Sequence, residues 1–348
     1  MFVAFGIKDD LLLNMGDAVA SFLKREDPTT EGSCLLGRED AAKLLEKGPR
    51  HAIPWGPRVF HDKRRRWLSA VSRRRLMAVS LASAGGLLVC MAFLVYGLHK
   101  MPGASPSDIW NIGFGQATEH TLITFAGIRR RKIRASGTLS NVLIANAGQT
   151  VLSFLYFSCN GLLTSMLLAH EWSGYALTRK GLRVSGRPQG DQRSTYFLQL
   201  PFRYAIPLVL FGTILHWLAS QSIFLITVEK WTNVSETYEW GRDDFYDFAT
   251  CAWSPMALCI FVIVAAGLML VLFALSFRRF KSAMPVAGSS SLAMAAACHP
   301  IRKYEAELME RMPLQWGSVG VTMEHSDSVR CAFSSATVEY PREGVTFG

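Results

Sequence analysis

Four stretches of this chain, residues 76–98, 142–169, 204–227 and 254–277, contain no Asp, Glu, Lys or Arg. A helix rises about 1.5 Å per residue, so about 20 residues cross a hydrocarbon core roughly 30 Å thick, and each stretch reaches that length. Hydrocarbon offers the backbone no hydrogen-bond partner, so a stretch that crosses is expected to be helical. A water-soluble protein rarely buries four charge-free runs of this length. Composition agrees: 18% of the 348 residues are charged, against about 25% in an ordinary soluble domain, and half are hydrophobic. An aromatic content of 11% excludes a disordered chain, and seven scattered cysteines exclude a disulfide scaffold. The first apolar stretch starts at residue 76, and the apolar opening residues soon meet Lys8, Asp9 and Asp10, so no secretory signal is read.

Charge orients the stretches. The 37 basic and 27 acidic side chains all lie outside them. Residues 1–75 carry 15 basic and 10 acidic side chains, with runs at 63–66 and 73–75 pressed against the first stretch. The segment between the second and third stretches has six basic and two acidic residues; between the third and fourth the balance is two to six. Arg278, Arg279 and Lys281 follow the last. Lys and Arg are retained on the cytoplasmic side, which places both termini and the middle connection there. The run at 129–134 (Arg-Arg-Arg-Lys-Ile-Arg) disagrees, because four spans put it outside. Two readings remain open: residues 109–128 dip into the membrane as a re-entrant piece, or the later connections outvote the run. The one glycosylation acceptor pattern, Asn233-Val234-Ser235, falls in the acidic connection assigned to the outside, so Asn233 is a candidate modification site.

Chemistry-bearing motifs are scarce. No phosphate-binding glycine loop, HExxH, GxSxG or paired CxxC occurs. Cys298-His299 is half of a metal site without a second pair, so no metal and no cofactor is expected. His170-Glu171 could form an acid/base pair, but adjacent helical residues point about 100° apart. Inside the apolar stretches the candidate polar contacts are Asn146, Gln149, Asn160, His216 and Gln221, expected to meet neighbouring helices or a small cavity rather than lipid. Pro207 is expected to bend the third stretch, and Ala82, Gly86 and Cys90 form a small-residue face on the first. Residues 9–25 read as an amphipathic helix, with Leu12, Met15, Val19 and Phe22 on one face and Asp27-Pro28 as its stop. Arginines alternating with Trp67, Leu68 and Val71 just before the first stretch read as an interfacial stop rather than a nuclear signal, and no nucleic-acid partner is expected. Trp316, Phe333 and Tyr340 suggest short docking turns in the tail rather than a separate core.

Several segments carry a resemblance. They are Gly16-Asp17-Ala18-Val19-Ala20-Ser21-Phe22-Leu23, Asp27-Pro28-Thr29-Thr30, IWNIGFG at 109–115 and VLSFLYFSCNGLLTSMLLAHEWS at 151–173. RKGLRVS (179–185), QRSTYFLQLPFRYAIP (192–207), LHWLASQSIFL (215–225) and MPVAGSSSLAMAAACHP (284–300) follow, then Gln315-Trp316-Gly317 and Cys331-Ala332-Phe333-Ser334-Ser335. The chain thereby resembles an uncharacterised family of fungal multipass membrane proteins known through a domain of unknown function. The resemblance implies a polytopic fold and transfers no functional residue. It also implies further spans upstream of Gly16, so that this chain looks N-terminally truncated, and makes the 129–134 run look like an insertion.

The expected fold class is all-α: a polytopic transmembrane helical bundle with four spans at 76–98, 142–169, 204–227 and 254–277. A cytoplasmic segment (1–75) precedes the transmembrane region (76–277), and a cytoplasmic tail (278–348) follows it. The expected role is that of a multipass integral membrane glycoprotein of the plasma membrane or an endomembrane, structural or interacting, and not an enzyme. Its expected partners are the lipid bilayer and other membrane helices. The alternatives are a transporter or channel subunit for a neutral solute, and an intramembrane enzyme.

Overall fold

The computed structural model describes residues 12–47, 56–101, 105–123, 131–132, 135–196, 199–229, 231–233, 240–242, 248–299, 306–320 and 329–348. Two short helices, α1 (Met15–Lys24) and α2 (Arg38–Lys47), precede the first apolar stretch. That stretch forms α3 (Arg73–His99), followed by the seven-residue α4 (Pro106–Ile112). The other stretches form α5 (Ala135–Ser173), α6 (Phe202–Ser222) and α7 (Pro255–Ser276); the short α8 (Ser291–Ala296) and α9 (Ala306–Met309) come after them. By length and composition α3, α5, α6 and α7 are each able to cross a membrane. The 39 residues of α5 extend about 58 Å, well past a hydrocarbon core.

Strands join the helices. They are β1 (Arg58–Val59), β2 (Arg131–Lys132), β3 (Arg183–Val184), β4 (Arg193–Ser194), β5 (Ile223–Val228) and β6 (Trp231–Asn233). Then come β7 (Trp240–Arg242), β8 (Phe248–Trp253), β9 (Gln315–Gly320), β10 (Val329–Ser334) and β11 (Thr346–Phe347). They pair as β1-β11, β3-β4, β6-β7, β9-β10 and the three-stranded β2-β8-β5. The protein is therefore mainly helical but not all-α. Strands of two or three residues are too short to leave an alternating pattern, and the six-residue β5, β9 and β10 do not bury every other residue, which is why composition and periodicity pass over them. The third apolar stretch also departs from expectation. Its helix ends at Ser222, and the β-branched run Ile223–Val228 becomes β5 because β8 lies ready to pair with it.

The chain divides into two compact units. The first holds residues 1–73, 161–205 and 273–348. Its core packs Val19 and Leu23 of α1 with Trp172 at the end of α5, Leu182, Met284 and Met294, and with Leu314, Trp316 and Phe333 of the tail. Phe333 sets its ring edge-on to Trp172 and Tyr175 at 5.2 and 5.4 Å. Trp316 and Phe333 thus belong to one core shared with α1, so the tail docks rather than building a core alone. The start of α1 follows from its cap: the Asn14 side chain accepts from Asp17 N, and Asp17 Oδ2 accepts from Asn14 N. Gly16 lies against β3, where a Cβ would collide with the Arg183 carbonyl.

The second unit holds residues 74–160 and 206–272. Here the β2-β8-β5 sheet joins the connection after α3 to the connection after α6. Ile123 N donates to Cys251 O at 2.9 Å, and Asn141 Nδ2 donates to Ala249 O at 3.0 Å. Leu94, Trp253 and Leu258 form its apolar cluster, with the Trp253 ring against Gly97 and 5.5 Å from Phe93. Residues 129–130 and 133–134 of the basic run lie outside the described residues. Arg131 and Lys132 themselves form β2 on β8, in a connection with acidic excess. Within 109–128, the described residues hold the end of α4, a three-residue helical turn at Glu119–Thr121 and a bridge from Leu122 to Ala252. Arg131 and Lys132 thereby pair with the uncharged Ala249 and Phe248 of β8, and no helix long enough for a re-entrant dip is seen among these described residues.

Candidate functional site: a basic cleft in the first unit

The segment just before α3 pairs with the segment just after α7. Trp67 N donates to Arg278 O at 2.8 Å and Phe280 N to Arg65 O at 2.9 Å, which sets Arg66 opposite Arg279. Two basic runs far apart in sequence are thereby joined edge to edge. Trp67 is fully buried beneath them, its ring 4.9 Å from His170 and 6.4 Å from Tyr204. Arg278 lies over the Trp67 ring at 5.0 Å and donates to Tyr204 Oη at 3.1 Å. Arg66 lies over Phe277 at 5.3 Å. Aromatic rings and guanidinium groups of this kind have one apolar and one wet end.

Beside this pairing opens a cleft of about 1170 Å³. Its cationic lining is Arg58, Lys63, Arg64, Arg65, Arg66 and Arg279, and its carboxylates are Glu39, Asp40, Asp62 and Glu343. Arg58 binds Asp40 and Arg65 binds Glu39, each at 2.7 Å, which ties the walls to α2. Asp62 accepts from Tyr340 Oη at 2.9 Å. Among the described residues, Lys63, Arg64, Arg66 and Arg279 have no carboxylate partner and are exposed.

A second cluster lies where α5 ends. Arg183 donates through Nε to Glu171 Oε1 at 2.9 Å, and through its terminal nitrogens to Ser194 O and Tyr196 Oη. Lys180 Nζ donates to Glu171 O at 2.7 Å and lies 4.1 Å from the Tyr175 ring centroid. Burial pulls Lys180 down to about 8, against the opposing pull of Glu171, while Arg193 adds to the lowering. The ammonium here caps a helix carbonyl. The cavity beneath, bounded by Gly16, Glu171, Trp172 and Arg183, is about 30 Å³, room for a water or two. His170 and Glu171 face different partners, Trp67 and Arg183, so they do not act on one atom together.

The polar residues expected inside the spans are dispersed. Asn146 is exposed on α5 and satisfies its amide locally, Nδ2 donating to Val142 O at 2.8 Å. Gln149 and Asn160 are half-buried on the same helix, and Asn160 lies 14 residues, about 21 Å, along from Asn146. His216 and Gln221 are half-buried on α6; Gln221 Oε1 approaches Gly115, where a Cβ would come within 2.6 Å. Pro207 lies inside α6 as its sixth residue. Gly86 faces Leu155, where a Cβ would meet Cδ1 at 3.5 Å. Asn233 ends β6, and Val234 and Ser235 lie outside the described residues. Among the described residues no group of three His, Cys, Asp or Glu is placed to hold a metal; His299 instead meets Thr30, Nε2 to Oγ1 2.8 Å.

In the sequence the basic runs read as orientation signals and, before the first stretch, as an interfacial stop; the cleft they build is not visible there. The available sign was that both runs adjoin apolar stretches at ends charge counting assigns to the same side. A family profile described as "Domain of unknown function (DUF8419)" matches residues 14–55 and 44–344. No curated protein and no solved structure is significantly similar to the chain.

Proposed function

As this chain belongs to the family defined by the DUF8419 domain of unknown function, its role has to be read from its own residues, and we propose that it is a multipass integral membrane protein with a structural or interacting role. The observation that carries this is the apolar exterior of the four long helices. Leu81, Leu88 and Val89 on α3 are 68, 69 and 69% exposed, and Ile263, Leu270 and Phe273 on α7 are 64, 68 and 64% exposed. Phe154 and Phe157 on α5 and Ile206 and Leu210 on α6 extend the same pattern. Contiguous apolar surface on this scale is stable in hydrocarbon and aggregates in water. The four helices serve as spans, both termini are cytoplasmic, and the connection bearing Asn233 is on the opposite side. Asn233 is the glycan acceptor in this reading, the partners are lipid and other membrane helices, and the chain carries out no reaction of its own.

Alkaline carbonate washing of membranes from cells expressing the full chain tests the reading. The chain is expected to stay in the pellet and to enter solution on adding detergent. Release by carbonate alone would overturn it.

A further inference from the structure

We propose that the basic cleft of the first unit seats the phosphate-bearing headgroup of an anionic phospholipid. The inference rests on the membrane reading above and adds a ligand to it. Three observations converge. The first is charge: six cations line the cleft against four carboxylates, and the two shortest ion pairs use Arg58 and Arg65. That leaves Lys63, Arg64, Arg66 and Arg279 directed at a shared space and answered by fewer anions than their number. Guanidinium groups bind phosphate oxygens through two parallel N–H donors, so clustered arginines suit a phosphate better than a lone carboxylate.

The second is place. The cleft adjoins the pairing of Arg66 with Arg279, which links the residue segment before Arg73, where α3 begins, to the one after Ser276, where α7 ends. Phe273 and Phe277 are 64 and 42% exposed on the last turn of α7 and just past it, and Arg66 lies over Phe277. A lipid lying along those rings would bring its headgroup to Arg66. Basic clusters immediately cytoplasmic of a span are the usual electrostatic partners of anionic lipid. The third is size. At about 1170 Å³ the open cleft exceeds what a free inorganic anion fills and leaves room for a larger phosphate-bearing group. Arg58 and Arg65 are paired with Asp40 and Glu39 of α2, so the cations left for a ligand are the other four.

The test uses the full chain purified in a neutral detergent. Binding is measured for short-chain phosphatidylinositol phosphate, phosphatidylserine and phosphatidylcholine, with inorganic phosphate as competitor. The anionic lipids should bind at least about tenfold more tightly than phosphatidylcholine. The triple variant Arg64→Gln, Arg66→Gln, Arg279→Gln should lose most of that preference, and the matching Arg→Lys triple, which keeps the charge but not the paired donors, should keep only part of it. If the Gln triple does not fold, Lys63→Gln with Arg64→Gln, both exposed, should weaken anionic-lipid binding by at least about threefold. Equal binding of all three lipids, or unchanged binding in the Gln variant that folds, would overturn the proposal. So would competition by inorganic phosphate at concentrations matching the lipid, which would mark a soluble-anion site. Carbonate extraction is indifferent to these substitutions, so a chain that stays embedded yet ignores lipid charge refutes this inference alone.

Discussion

His299, 7% exposed, shows how one buried ring ties the tail to the N-terminal segment. The Thr30 hydroxyl donates to Asp27 O at 3.0 Å, so Thr30 Oγ1 accepts from His299 Nε2–H and Nδ1 is left 3.9 Å from Glu26. Burial lowers the His299 pKa below its ordinary 6.5 and the Arg330 charge adds to this, while Glu26, Glu31 and Asp27 oppose without prevailing. The unfolded chain therefore takes up this proton first as pH falls. The stability that neutral His299 contributes is present above 6.5 and is lost as pH drops from there through the folded value. Thermal unfolding in detergent at about pH 7.5 and about pH 5.5 should show a lower midpoint in acid. His299→Gln, which keeps an N–H donor and cannot titrate, should shrink that difference; an unchanged difference would assign the acid sensitivity to other groups. The buried cysteines behave differently. The Cys331 thiol beside Cys34 draws it down, while burial pushes Cys298 up.

At the scale of elements, the contact of α1 with β3 depends on a missing side chain. The Gly16 Cα approaches the Arg183 carbonyl so closely that a methyl group has no space, and Ser185 N donates to Asp17 Oδ1 at 2.8 Å beside it. Gly16→Ala should therefore cost about 1–3 kcal/mol, although alanine favours a helix. Gly148→Ala on α5, where a Cβ meets nothing within 4 Å, is the control and should be neutral or slightly stabilising. Unfolding midpoints of the two variants check this, and equal midpoints would place the α1–β3 contact elsewhere. The start of α1 was passed over: the amphipathic pattern runs on from residue 9, whereas the capping box of Asn14 and Asp17 starts the helix at Met15. The end of α6 was passed over too. Ile223–Val228 is as apolar as the helix before it, and only pairing with β8 makes it a strand.

For the whole molecule, the proposed topology has a direct consequence. With four spans, the connections after α3 and after α6 share one side, and the sheet β2-β8-β5 within the second unit joins those two connections. Protease added to sealed microsomes should digest a tag placed after residue 348, and a glycan should shift the mobility of the chain unless Asn233→Gln is introduced. A tag protected until detergent is added would reverse the orientation. An unshifted chain with a digested tag would leave the orientation and remove the glycan.

The existence and approximate positions of the four apolar helices were determined by the sequence itself, because charge is so costly in hydrocarbon that its absence over about 20 residues is a signal no other segment imitates. Helix ends marked by caps were local in the same sense. What tertiary structure decided was everything that depends on distant residues meeting. Arg66 faces Arg279, Trp316 and Phe333 close a core begun by Val19 and Leu23, and Asn146 turns to its own helix. No spacing along the chain encodes these contacts. Each is selected by which buried backbone and apolar groups find partners once the helices are in place.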